Sequence, residues 1–186
     1  MTGTTLPPVA GRNAAPLRLG VSACLLGEEV RWDGGHQREA ALVEGWGAQV
    51  DWVPVCPEVE MGLGVPRDPI QLVRTAEGIQ LQIRSSGRDQ SAAMGGWARE
   101  RVQALAAMKL CGYVLKGGSP SCGKDQVPVH DARGVVCGVD RGFFAAELLR
   151  HSDGFPVEEA ERLRDPRLRD LFLGRALAYR ELCRPR

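Results

Sequence analysis

Three apolar runs of strand length in this 186-residue chain each give way to a turn that carries a cysteine. Residues 17–24 lead into Leu25-Leu26-Gly27, residues 49–56 into Pro57-Glu58, and residues 113–115 into the loop from Lys116 to Gly123. Short apolar runs bounded by glycine and proline read as buried strands. Helical patterns lie between them. One spans about 37–47. A longer one spans about 88–110, with Met94, Trp97, Ala98, Val102, Leu105 and Met108 at helical spacing and Gly112 as a stop signal. Asp140-Arg141-Gly142 opens a further helix over about 142–151, and Pro156-Val157 suggests a short strand. Asp165-Pro166 supplies an N-cap and a first-turn proline for a last helix to about Cys183. Residues 70–73 and 79–83 alternate around Ala76-Glu77-Gly78 as a hairpin, and 57–69 reads as loop. Strands alternating with helices predict an α/β three-layer sandwich on a mostly parallel, Rossmann-like sheet. The C-terminal ends of such strands meet at one crevice, so Cys24, Cys56 and Cys122 are expected there together.

The length suits one domain: an arm over 1–16, a folded domain over 17–160 and a C-terminal helix over 161–186. A formal net charge of +1 excludes strong global electrostatics as the basis of binding. Only three of the 24 basic residues are lysines, which base composition of the genome explains more simply than nucleic-acid binding. Residues 162–186 carry eight arginines against Asp165, Asp170 and Glu181, and a solvated helix face accounts for them better than an RNA contact. No apolar run has the length of a signal-peptide core or a membrane span, so a cytoplasmic protein without membrane contact is expected. Its oligomeric state is left open.

In a reducing compartment six cysteines are not expected to form disulfides. Cys111, Cys137 and Cys183 sit in regular patterns and read as packing residues. The other three sit beside glycine, proline or serine, where backbone approaches a bound group closely. Paired C-x-x-C spacing, the usual mark of zinc, is absent. Three thiolates without a fourth suit an iron–sulfur cluster with one iron open as a Lewis acid. A thiol enzyme and a purely structural role stay open on spacing alone.

The segments from Val21 to His36, from Val55 to Arg67 and from Gly112 to Gly123 resemble the thiouracil desulfidase (TudS) family, in order and over about residues 17–160. That resemblance implies a [4Fe-4S] cluster held by Cys24, Cys56 and Cys122. It also implies hydrolytic, non-redox removal of sulfur from a thiolated nucleobase. Glu58 matches the glutamate of the family's Cys-Pro-Glu motif, which has a catalytic role, and either Ser121 or Ser119 matches its assisting serine. Desulfuration of 4-thiouridine in tRNA is the alternative, carried by longer relatives with an extra C-terminal domain. Residues 155–169 resemble the junction in those proteins, and this chain reaches only Arg186, which favours a free base. A non-catalytic cluster- or zinc-holding module is the third reading.

Around these motifs, Asp33 and His36 are expected either at the rim of the pocket or in a simple turn. Glu60 is a second site carboxylate or a loop acceptor. Arg67 grips a base oxygen or phosphate, or forms an ordinary ion pair. Lys116 faces the cysteines or reaches solvent, and Ser22 is a weaker candidate for hydrogen bonding behind Cys24.

Overall fold

The computed structural model describes residues 15–151 and 154–182. The predicted arm, apart from Ala15 and Pro16, and Cys183 lie outside the described residues. The elements follow as β1 (Leu17–Ser22), a 3-10 turn (Ala23–Leu26), α1 (Ala40–Trp46), β2 (Val50–Val55), α2 (Pro57–Glu60), β3 (Ile70–Thr75) and β4 (Gly78–Ile83). Then come α3 (Ser91–Ala107), β5 (Gly112–Leu115), β6 (Val127–His130), β7 (Val136–Asp140), α4 (Phe143–His151), β8 (Val157–Glu159) and α5 (Pro166–Leu182).

The first sheet has the order β2-β1-β5-β8, and every pair in it is parallel. The chain runs from β1 to β2 on one side and returns to β5 on the other, so a topological switch point lies between β1 and β5. Alternation along the strands sends side chains to two cores. Leu17, Leu19, Val21 and Val114 join Trp46 of α1 and Phe172, Leu173 and Ala176 of α5. Val55, Tyr113 and Leu115 join Ala98, Val102 and Leu105 of α3 and Phe144 and Leu148 of α4. This gives the expected three layers. Gly20 in β1 leaves room for the Tyr113 ring; a Cβ there would sit 2.2 Å from its Cδ2.

A single sheet was expected, and the structure has two. The second has the order β4-β3-β6-β7, with β3 parallel to β6 and antiparallel pairs outside. It is built from two insertions, one after β2 and one after β5. Ile70, Leu72, Leu81, Val127 and Val129 close on Met94 of α3. The β6–β7 hairpin carries little signal: β6 is four residues with a proline, and β7 exposes residues on both faces, without a period of two. Cys137, read as a packing residue, is accordingly exposed on this edge strand, whereas Cys111 is buried as expected.

Two boundaries moved. Residues 57–60, read as loop, form the one-turn helix α2, with Pro57 at its first position. The long helix stops at Ala107, followed by Lys109 in the left-handed region (φ 56°). Gly112 instead opens β5, where a Cβ would stand 3.0 Å from the Pro156 carbonyl oxygen. Among the described residues no helix is long and apolar enough to cross a membrane.

Candidate active site

At the C-terminal ends of β1, β2 and β5 the chain forms a cavity of about 340 Å³ lined by Cys24, Cys56 and Cys122 together. Each cysteine is placed by a different local device. Cys24 sits in the 3-10 turn after β1, which Gly27 closes in the left-handed conformation (φ 98°). Cys56 is the N-cap of α2, and its thiol donates to the Val30 carbonyl (3.6 Å). Cys122 is buried in the loop after β5. That loop is clamped by the start of α4. Gly142 N–H donates to the Gly123 carbonyl (2.8 Å), Phe143 N–H to that of Pro120 (3.1 Å) and Phe144 N–H to that of Ser121 (3.0 Å). The clamp requires glycine: a Cβ on Gly142 would lie 2.5 Å from the Ser121 backbone, and one on Gly123 would lie 2.3 Å from Val127 Cγ2.

The thiols share one electrostatic environment. Burial pushes Cys24 up to about 11, with Cys56 adding to the rise and Lys116 and Arg31 opposing it. Burial likewise raises Cys56 and, more strongly, Cys122, with the nearby Ser22 hydroxyl opposing the rise. Among the described residues no three histidine, cysteine or acidic side chains are placed to share one metal ion. Three soft donors that line one cavity without meeting at a point suit a polynuclear centre, whose metal ions are bound one per ligand.

Glu58 lines the same cavity, and both its carboxylate oxygens are engaged. Ser121 Oγ donates to Oε1 (2.9 Å), and Arg67 Nε donates to Oε2 (3.1 Å), joined by Arg67 Nη2. Arg67, whose side chain is 5% exposed, also donates to the carbonyls of Gly64 (2.7 Å) and Val30 (2.9 Å). Four of its five N–H groups thus brace Glu58 and the surrounding loops, the ion pair that was the alternative reading of this cavity-lining residue. The two serines separate cleanly. Ser121 is fully buried and faces Glu58, whereas Ser119 Oγ accepts from the N–H groups of Ser121 (3.2 Å) and Cys122 (3.1 Å) and so closes the turn.

Three residues predicted near the substrate do not line the cavity. Asp33 accepts from Arg31 (3.0 Å) and from the Gly35 N–H (3.1 Å), which lower its carboxyl from the ordinary value in an exposed turn. His36 is exposed, and its Nδ1 accepts the Arg38 N–H (3.2 Å). Glu60 is exposed and pairs with Arg101 of α3 (2.9 Å). Their neighbours take the lining positions: Arg31, Trp32 and Gln37 beside Asp33 and His36, and Lys116 at the end of β5. Glu161 was not singled out at all, yet it pairs with Lys116, although it is not itself a lining residue. The adjacent charge on Lys116 was its only signal, because 45 residues separate the two in the chain.

Comparison with known proteins yields three similarities. A family model described as 2-thiouracil desulfurase matches residues 19–160. The uncharacterized protein YbbK of Bacillus subtilis is 31% identical over 111 residues, covering 55% of this chain and 71% of that protein. A solved structure of the [4Fe-4S]-dependent thiouracil desulfidase TudS is 32% identical with a TM-score of 0.66, covering 83% of this chain and 98% of that one.

Proposed function

The chain belongs to the 2-thiouracil desulfurase family, and on that premise we propose that it removes sulfur hydrolytically from a free thiolated pyrimidine, giving the oxo base and sulfide. A [4Fe-4S] cluster held by Cys24, Cys56 and Cys122 is part of this reading. The observation that carries it is the meeting of three thiols, Glu58 and Arg67 around one cavity, with the buried Ser121 hydroxyl hydrogen-bonded to Glu58. When bound, the cluster supplies a soft Lewis-acidic iron, open because only three thiolates hold it and suited to a thione sulfur.

The remaining steps belong to the protein. Arg67 fixes the Glu58 carboxylate, and the Ser121 hydroxyl orients it. Glu58 Oε1 accepts a proton from the water that attacks the thiocarbonyl carbon. Ser119 lines the cavity, and its hydroxyl oxygen also holds the Cys122 loop in shape. The cavity volume lies at the low end of small-molecule sites, which supports a free base over a nucleotide within folded tRNA.

The test is anaerobic reconstitution with iron and sulfide, followed by incubation with thiouracil and, separately, with tRNA containing 4-thiouridine. Loss of the thione absorption with stoichiometric sulfide release from the free base is expected. A colourless protein that takes up zinc and no iron would refute the reading.

A further inference from the structure

Resting on that reading, we propose that Lys116 is the anion-binding residue of the reaction: its ammonium, clamped by Glu161, receives the negative charge that builds on sulfur as the C–S bond breaks. Exchanging C=S for C=O requires a C–O bond to form from water. The C–S bond breaks with its electron pair leaving on sulfur, and both water protons end on that sulfur as hydrogen sulfide. No electrons are gained or lost overall, so no oxidant or reductant is needed. What the step does need is a positive charge beside the departing sulfur.

Four charged side chains line the cavity: Arg31, Glu58, Arg67 and Lys116. Arg67 is consumed by Glu58 and two carbonyls. Arg31 is held only by a local pair, its Nε and Nη2 on Asp33 two residues away, whereas Lys116 is tied to a carboxylate 45 residues away. Lys116 Nζ donates to Glu161 Oε1 and to the Gly117 carbonyl (2.7 Å), and its third N–H has no acceptor among the described residues.

The clamp is built into the fold. The Lys116 N–H donates to Ser22 Oγ (3.0 Å), which fixes the lysine's backbone against the end of β1. Glu161 Oε2 accepts the Gly117 N–H (3.2 Å). A Cβ on Gly117 would lie 2.9 Å from Glu161 Oε2 and 3.1 Å from Glu159 Oε2, so a side chain there would push the Glu161 carboxylate from its place. A lysine merely reaching solvent would need none of these constraints. Holding the ammonium in place removes much of the cost of orienting it when charge appears.

The experiment compares wild type, Lys116→Met and Lys116→Arg after anaerobic reconstitution. It measures iron per chain, the affinity for added sodium sulfide by titration of the visible absorption, and turnover of thiouracil. Lys116→Met should hold iron at the wild-type ratio, bind sulfide on the order of tenfold more weakly, and turn over on the order of a hundredfold more slowly. Lys116→Arg should retain sulfide affinity to within about threefold. Wild-type sulfide affinity in Lys116→Met, or loss of iron in both variants, overturns the assignment, as does a wild-type protein that binds no sulfide. A wild-type protein that holds iron and binds sulfide yet leaves thiouracil intact would remove the desulfuration reading and leave the anion site standing.

Discussion

Ser119 and Ser121 are two residues apart in one loop and equivalent in the motif, and the backbone turn gives them different tasks. Ser121 donates to Glu58, whereas Ser119 ties down the N–H groups of Ser121 and Cys122. Glu58→Gln should therefore keep iron but lose about 10²- to 10⁴-fold in turnover. Ser121→Ala should also keep iron and lose roughly tenfold, the worth of one hydrogen bond to a charged group. Ser119→Ala should act on iron content instead. Paired iron analysis and thiouracil kinetics distinguish the three. The Cys24 thiol gives a separate handle on the iron-free protein. Its folded value is raised from the ordinary 9.0 to about 11, so its contribution to stability is fully present below pH 9 and is lost as pH climbs to 11. Urea midpoints of the iron-free chain should fall between pH 9 and 11, and Cys24→Ala should flatten that fall, with Cys56 and Cys122 leaving a remainder.

Among the elements, the docking of α4 on the Cys122 loop is the joint on which the site depends. Gly142 stands where the helix start meets the Ser121 backbone. Gly142→Ala should cost about 1–3 kcal/mol by overpacking and reduce iron loading, read by thermal denaturation and iron analysis. Gly96, inside α3 with nothing within 4 Å of its would-be Cβ, is the counterpart. Gly96→Ala should stabilise by about 0.5–1 kcal/mol and leave loading unchanged. The hairpins show how far local pattern reaches. The alternation around Gly78 marks β3 and β4, whereas β6 and β7 exist because β3 offers a parallel partner to Val129 and His130. Val135, Val136 and Val139 remain exposed there, so no burial pattern announces the strand.

At the scale of the molecule, α5 belongs to the same core as the sheet. Phe172 stacks on Trp46 with ring centroids 6.1 Å apart, and Leu173 and Ala176 are buried with Leu17, Leu19 and Val21. Loss of a buried phenylalanine alone costs about 3–5 kcal/mol, against roughly 5–15 kcal/mol for a whole domain. A chain cut after Asp165 should thus lose cooperative unfolding, measured by circular dichroism against urea, although the matched family segment ends at residue 160. Retention of a sharp transition would show that the sheet and its other helices suffice.

The sequence by itself determined the alternation of strands and helices, the cysteine at the end of each of three strands, and the family motifs around Glu58 and Ser121. These are matters of periodicity and turn chemistry, which act over a few neighbouring residues. Only the tertiary structure decided that Arg67 braces Glu58, that Asp33 and His36 are not among the cavity-lining residues, and that Glu161 returns to hold Lys116. It also decided that a second sheet is assembled from two insertions. The reason is that a side chain's direction and a strand's partner depend on where elements separated by tens of residues come to dock. A local pattern holds no record of that docking.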